Sequence, residues 1–261
     1  MKKIFIAAVL ILLMYIIFTP SPTALEKDLA LGDYTIHDGN LIVINKDLKL
    51  QQQPKNLSII PTTLATNVRV DSEHRIKQEL LQPLEHMFKA AESDGLYFFE
   101  INSTYRNNEL QQKLYEENGS DYALPAGYSE HQSGLAIDIG SANGTMENSL
   151  EYAWLNENAA KFGFILRYPS NKVDITKIAF EPWHFRYVGL PHSIIMQEKD
   201  FALEEYIEFI QAEKQYTKKI NGVKYFIQYA EKNDAIKIPD TTHFELSGDN
   251  LNGFIITSIV N

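Results

Sequence analysis

The apolar positions of the chain fall into patterns of different period. One unbroken run, Ile4 to Phe18, opens it. From Arg75 to Ser93 the apolar residues Ile76, Leu80, Leu84, Met87, Phe88 and Ala91 recur at helical spacing, and Gly95 closes the stretch. Pro83 lies inside it, which predicts a kink or break there. Leu96 to Ile101 reads as a buried strand, and Asn107 as the cap of a helix through Glu116. Ile137 and Ile139 flank Asp138 in a short strand. Leu150 to Phe162 reads as a helix ending at Gly163, Phe164 to Tyr168 and Trp183 to Val188 as strands, and Leu203, Tyr206, Ile207 and Ile210 as one helix face.

After Gln215 the texture changes. Val223 to Tyr229, Ala235 to Ile238, His243 to Leu246 and Phe254 to Ile259 are strand-like, with Asn221-Gly222 and Gly248-Asp249 as turns. Helices and strands do not alternate regularly. The pattern predicts an α+β fold with a small, mainly antiparallel sheet flanked by helices. The organisation expected is an N-terminal segment over 1–24, a connector with one short strand (Leu41 to Ile44) over 25–63, a main domain over 64–214 and a small β appendage over 215–261.

Lys2 and Lys3 precede the first apolar run, and Thr19, Pro20, Ser21 and Pro22 end it. This is the layout of a secretory signal or a retained membrane anchor, and it predicts an extracytoplasmic protein, anchored or secreted. Cleavage after Ala24 would put Pro22 two positions upstream, a poor fit to the small-x-small rule, which favours the anchor. The chain of 261 residues has no cysteine. That removes disulfides, thiolate metal sites and a lipidated cysteine, so any metal is held by His, Asp or Glu. The formal net charge of −10 argues against a nucleic-acid partner, because phosphate contacts need clustered Lys and Arg.

Two stretches carry chemistry. Ser129-Glu130-His131-Gln132-Ser133-Gly134-Leu135-Ala136-Ile137-Asp138 sets a His and an Asp on either side of a glycine, and Glu181-Pro182-Trp183-His184 sets a Glu and a His three apart. Together they supply two imidazoles and two carboxylates. That suffices for three zinc ligands and one general base, with a coordination position left open. Spacing alone does not assign the roles. No His-Glu-x-x-His occurs, which excludes the helical zincin arrangement. In a regular strand Glu181 and His184 would point to opposite faces, so they converge only if Glu181 lies in irregular backbone, with which Pro182 is consistent. Trp183 and Tyr187 alternate with His184 and read as core or pocket wall.

These stretches resemble the two signatures of the VanY-type zinc D-alanyl-D-alanine carboxypeptidases. The resemblance runs from about Leu64 to Glu205. It includes Ser103-Thr104-Tyr105-Arg106 with Gln111 following, Trp154-Leu155, Phe162-Gly163-Phe164 and Arg167-Tyr168-Pro169. It implies zinc held by His131, Asp138 and His184, Glu181 as catalytic base, Arg106 facing the substrate, and Ser129 holding the loop or meeting substrate. The implied fold is that of lysostaphin-type peptidases and the hedgehog signalling domain. The implied activity is removal of the C-terminal D-alanine from peptidoglycan stem peptides or lipid-linked precursors, which in resistant bacteria lowers the supply of the vancomycin target. An L,D-carboxypeptidase or endopeptidase would share the metal machinery, and a catalytically inactive zinc-bearing binding domain would share the ligands. Thr104 stands where relatives often have Gly, and the residues after about Gln215 lie outside the family core.

Overall fold

The computed structural model describes residues 24–32, 34–119, 123–241 and 243–260. The apolar run Ile4 to Phe18 lies outside them, and among the described residues no helix is long and apolar enough to cross a membrane. The described residues form thirteen strands: β1 (Lys27–Leu29), β2 (Leu57–Ile59), β3 (Val68–Arg69), β4 (Arg75–Lys77), β5 (Phe99–Ser103), β6 (Ala136–Ser141), β7 (Phe164–Leu166), β8 (His184–Tyr187), β9 (Gln215–Ile220), β10 (Val223–Glu231), β11 (Ile236–Ile238), β12 (Phe244–Gly248) and β13 (Gly253–Val260). Six α-helices accompany them among the described residues: α1 (Leu81–Ser93), α2 (Asn108–Asn118), α3 (Leu150–Asn158), the single turn α4 (Val173–Thr176), α5 (His192–Lys199) and α6 (Leu203–Glu213).

The central sheet has the order β3-β5-β6-β8-β7 and is antiparallel except for the β3–β5 pair. Its strands alternate. Ile137, Ile139 and Phe185 enter a core with Phe99, Ile101 and Phe164, against which α1 packs Leu84, Met87, Phe88 and Ala91. Burying each of the large helix side chains contributes about 1.5–3 kcal/mol. The opposite parity, Ala136 and Asp138 on β6 with His184 and Arg186 on β8, is left for the site. Asn107 caps α2, its side chain accepting the Leu110 N–H.

The expected helix from Arg75 divides. Arg75 to Lys77 is strand, a short 3₁₀ turn follows, and the helix proper starts at Leu81. Pro83 therefore stands in the first turn, where a backbone N–H has no helical partner, and it causes no interior break.

The connector also differs from expectation, with short strands at β1 and β2 rather than at Leu41 to Ile44. The latter residues are fully buried, but side chains and loops meet their backbone instead of a ladder. Leu41 N–H donates to Ser247 Oγ (2.8 Å) and Val43 N–H to the Asp249 carbonyl (3.2 Å). The Val43 carbonyl accepts from Asn250 Nδ2 (2.9 Å).

Residues after Gln215 form a second, wholly antiparallel sheet of order β12-β13-β10-β9, while β11 pairs with β1. Ile227, Tyr229 and Ile255 of this sheet share a core with Leu203, Tyr206, Ile207 and Ile210 of α6 and with Leu41 and Val43.

Candidate active site

Cross-strand register builds the site. Asp138 on β6 lies directly opposite His184 on β8, so their side chains rise side by side from one face. The Asp138 Oδ1 to His184 Nδ1 distance is 3.2 Å. His131 arrives from a buried 3₁₀ turn, Glu130–Ser133, which Gly134 ends at φ 71°. A side chain at Gly134 would combine that left-handed strain with a Cβ 2.7 Å from Leu57 Cδ2, which accounts for glycine between the His and the Asp. His131 Nε2 then stands 3.3 Å from Asp138 Oδ2. One carboxylate thus bridges two imidazoles, and the three residues offer ligand atoms all within 4.8 Å of one another.

His131 Nδ1 lies 2.7 Å from the Thr104 carbonyl, which can only accept, so Nδ1 carries the proton and Nε2 presents its lone pair. Thr104, at the position that departs from the family pattern, is buried, and its hydroxyl accepts the Arg75 N–H at 3.0 Å. That bond ties the Ser-Thr-Tyr-Arg loop to β4.

Glu181 lies before β8 in irregular backbone, as its convergence with His184 requires. Its N–H donates to the Tyr168 carbonyl (3.1 Å) and its carbonyl accepts the His184 N–H (3.2 Å). Glu181 Oε2 comes within 3.5 Å of His184 Nδ1. Arg106 follows β5, and its Nη1 donates to Gln111 Oε1 (3.1 Å), while Gln111 Nε2 holds the Leu124 carbonyl (2.6 Å). Arg106, Ser129, His131, Tyr168, Glu181 and His184 line one cavity of about 270 Å³. All six residues singled out in the sequence therefore meet here, five on the cavity wall and Asp138 between the two histidines. Trp183 is 40 % exposed and forms neither core nor pocket wall, whereas Tyr187 packs edge-on against Phe164.

Charge is strongly perturbed. Burial raises the Glu181 pKa, and the Asp138 and Glu130 charges add to this against His184 and Arg106. Burial opposes charge on Asp138, but His131 and His184 outweigh it and hold the carboxyl well below the usual range. Burial also opposes charge on His184, yet hydrogen bonds and charges from Asp138, Glu130 and Glu181 lift it to about 9. Clustered, perturbed groups in a cleft mark a functional site.

One residue of the site was not singled out in the sequence. Glu130, inside the first motif, is fully buried, and Oε1 accepts from Arg167 Nε (2.8 Å) and Arg186 Nη1 (2.7 Å). Burial would keep it neutral, but Arg186 and Arg167 pull its pKa far below the carboxylate range. The visible signal was a carboxylate between Ser129 and His131 in a chain whose later strands carry arginines among apolar residues.

The donor set fits a divalent transition metal. Two imidazoles and one carboxylate converge, and His131 Nε2 and Asp138 Oδ1 are buried without a hydrogen-bond partner. Three such ligands with an open fourth position are the catalytic zinc arrangement, and a fourth ligand would close it.

Residues 73–190 match the family described as VanY, D-alanyl-D-alanine carboxypeptidase. The chain is 43% identical over 229 residues to a D-alanyl-D-alanine carboxypeptidase of Enterococcus faecium, covering 85% of this chain and 76% of that one. Among solved structures, the vancomycin-resistance D,D-dipeptidase VanXYg in complex with a D-Ala-D-Ala phosphinate analogue superposes with a TM-score of 0.76 at 31% identity. That match covers 90% of this chain and 98% of the other. A variant of the VanB-type D,D-pentapeptidase VanY in complex with Zn(II) matches with a TM-score of 0.52 at 32% identity, over 64% of this chain and 98% of its own. The shared architecture is the D-Ala-D-Ala metallopeptidase fold of helices and small antiparallel sheets.

Proposed function

The chain belongs to the VanY D-alanyl-D-alanine carboxypeptidase family, and on that premise we propose that it is a zinc peptidase removing the C-terminal D-alanine from peptidoglycan stem peptides or their precursors. The observation that carries the reading is the convergence of His131, Asp138 and His184 beside Glu181 and Arg106 in one cavity. His131, Asp138 and His184 would hold the metal. Bound zinc would supply a Lewis acid that polarises an amide carbonyl and acidifies water.

The remaining work falls to this chain's own groups. Glu181, with a pKa raised by burial, is suited to take a proton from the attacking water at its Oε2 and return it to the departing D-alanine amine. Proton transfer of this kind contributes about 10²–10⁴-fold. Arg106 is held by Gln111, and its Nε is buried without a partner. Its planar fork matches the terminal carboxylate or the carbonyl oxygen of a peptide. Ser129 and Tyr168 complete the wall.

The test is mass spectrometry of defined stem peptides after incubation with the purified, zinc-loaded chain. A pentapeptide ending in D-Ala-D-Ala should lose one alanine, and a tetrapeptide should survive. Cleavage of the tetrapeptide alone would move the assignment to an L,D-carboxypeptidase. Cleavage of free D-Ala-D-Ala alone would move it to a dipeptidase. No cleavage despite bound zinc would leave a binding domain.

The apolar run Ile4 to Phe18 supports placing the enzyme outside the cytoplasmic membrane, where such peptides are exposed. Protease accessibility on intact protoplasts tests this, and complete protection would contradict it.

A further inference from the structure

In the site two buried polar atoms face each other. His184 Nε2 and Glu130 Oε2 are 3.4 Å apart, and neither has a hydrogen-bond partner among the described residues. The surroundings of Glu130 are otherwise saturated. Its Oε1 accepts from both Arg167 and Arg186. Arg167 turns its two Nη groups to Glu204 in a bidentate pair (2.9 and 2.6 Å). Arg186 gives Nη2 to the carbonyls of Asn40 (3.0 Å) and Ile42 (2.9 Å) and Nε to that of Tyr187 (3.1 Å).

An ionised carboxylate can only accept, so the one donor within reach of Oε2 is the imidazole Nε2. Metal binding displaces one proton from His184, and the neutral ligand imidazole that results carries a single N–H. With that proton on Nε2, the lone pair belongs to Nδ1, the atom 3.2 Å from Asp138 Oδ1 and 3.5 Å from Glu181 Oε2. His131 has the opposite tautomer, with Nδ1–H on the Thr104 carbonyl and Nε2 facing Asp138. The two histidines are therefore set by different devices, one a backbone carbonyl and one a clamped carboxylate.

We propose that Glu130 is the positioning residue of this centre: held by Arg167 and Arg186, it accepts the His184 Nε2–H, fixes the tautomer and ring orientation, and so presents Nδ1 to the metal. This rests on the zinc reading given above. A carboxylate behind a ligating imidazole orients the ring and increases its basicity. The arginine clamp adds a structural consequence. It joins the imidazole of β8 to Glu204 on α6 and to the buried segment at Asn40–Ile42, so elements outside the central sheet fix one ligand's orientation.

The direct test is long-range ¹H–¹⁵N correlation on the unsubstituted, ¹⁵N-labelled chain loaded with zinc. His184 should carry its proton on Nε2 and His131 on Nδ1. A His184 protonated on Nδ1 alone would overturn the inference, whatever the variants do.

Glu130→Gln then tests the consequence. An amide cannot accept from both arginines and the imidazole without turning its NH₂ against one of them. Zinc affinity, read by competition with a chromophoric chelator, should fall about 10–100-fold. The visible spectrum of the cobalt-substituted protein should shift. Glu130→Asp keeps the charge against the arginines but withdraws it from the ring. It should fold and lose affinity in the same direction. Folded variants with zinc affinity within twofold of the parent and an unchanged cobalt spectrum would overturn the proposal. A chain with the expected tautomers and zinc that cleaves no stem peptide would support it and overturn the carboxypeptidase reading instead.

Discussion

The central sheet and the C-terminal sheet are both largely antiparallel ladders backed by apolar cores, yet they bury opposite kinds of residue elsewhere. Around the central sheet Glu130, His131, Arg167, His184 and Arg186 are all nearly out of water. Ion pairs in such a place roughly offset their own desolvation, and removing one partner is costly, so stability alone does not explain them. In the C-terminal sheet the buried polar groups close a turn or tie the sheet to neighbouring segments, as Ser247 and Asn250 do with Leu41 and Val43. Asp249 Oδ1 accepts the N–H groups of Leu251, Asn252 and Gly253, and Oδ2 accepts the Tyr229 hydroxyl (2.9 Å). Charge in the first region is organised around one face of β6 and β8, where chemistry needs it. Polarity in the second finishes a scaffold. Substitutions in the two regions should therefore separate into losses of rate and losses of stability.

The sharpest break is expected from His184→Ala. Metal analysis should fall from about one zinc per chain towards none, and turnover by about 10³-fold or more, because a three-ligand site loses a member. Full metal and full activity would remove His184 from the centre. Next comes Arg106→Lys, which keeps charge but loses the fork. kcat/KM should drop by about 10²-fold with an unchanged circular dichroism spectrum. Activity within twofold of the parent would detach Arg106 from substrate.

On the other side of the comparison, Ile255→Ala removes a side chain that is 1 % exposed in the core shared by α6 and the C-terminal sheet. Denaturant titration should show a loss of about 2–5 kcal/mol. Under folding conditions kcat/KM should stay within about twofold, and a selective loss of rate would merge the two regions.

The smallest effect concerns the seam between them. His192 on α5 bonds Tyr206 (2.6 Å) on α6 and Thr257 (3.0 Å) on β13, and burial lowers its pKa from 6.5 to about 3. Because the folded value is depressed, the unfolded chain takes the proton first. The stability from neutral His192 is complete above pH 6.5 and declines as pH falls towards 3. One unit below pH 6.5 the loss is about 1 kcal/mol. Unfolding curves across that window check this, and His192→Gln should flatten its share of the slope. An unaltered slope would assign it to other groups.

Residues near in sequence made much of the site legible. Gly134 follows His131 closely, Asp138 sits between Ile137 and Ile139, and Glu181 precedes Pro182, so local backbone rules already constrain the motif. Glu130 was not legible, because the arginines that give it meaning are 37 and 56 positions away. Leu41 to Ile44 shows the same limit in the fold. Its apolar run reads as a strand, but partners more than 200 residues distant, Ser247 and Asn250, take its backbone groups, and no ladder forms. At Arg75 the helical period extended too far towards the N-terminus. Ile76 and Leu80 are buried at compatible spacing while belonging to a strand and a 3₁₀ turn. Apolar spacing reports which side faces the core, not which backbone carries it.

The central claim is that Glu181 moves a proton and does not hold the metal. Glu181→Gln keeps shape and removes the acceptor, so one preparation measured for both zinc content and turnover tests it most directly. About one zinc per chain is expected, as in the parent, with turnover lower by about 10²-fold or more. Loss of zinc would make Glu181 a ligand of a closed, structural site, and retained zinc with retained turnover would place the base elsewhere.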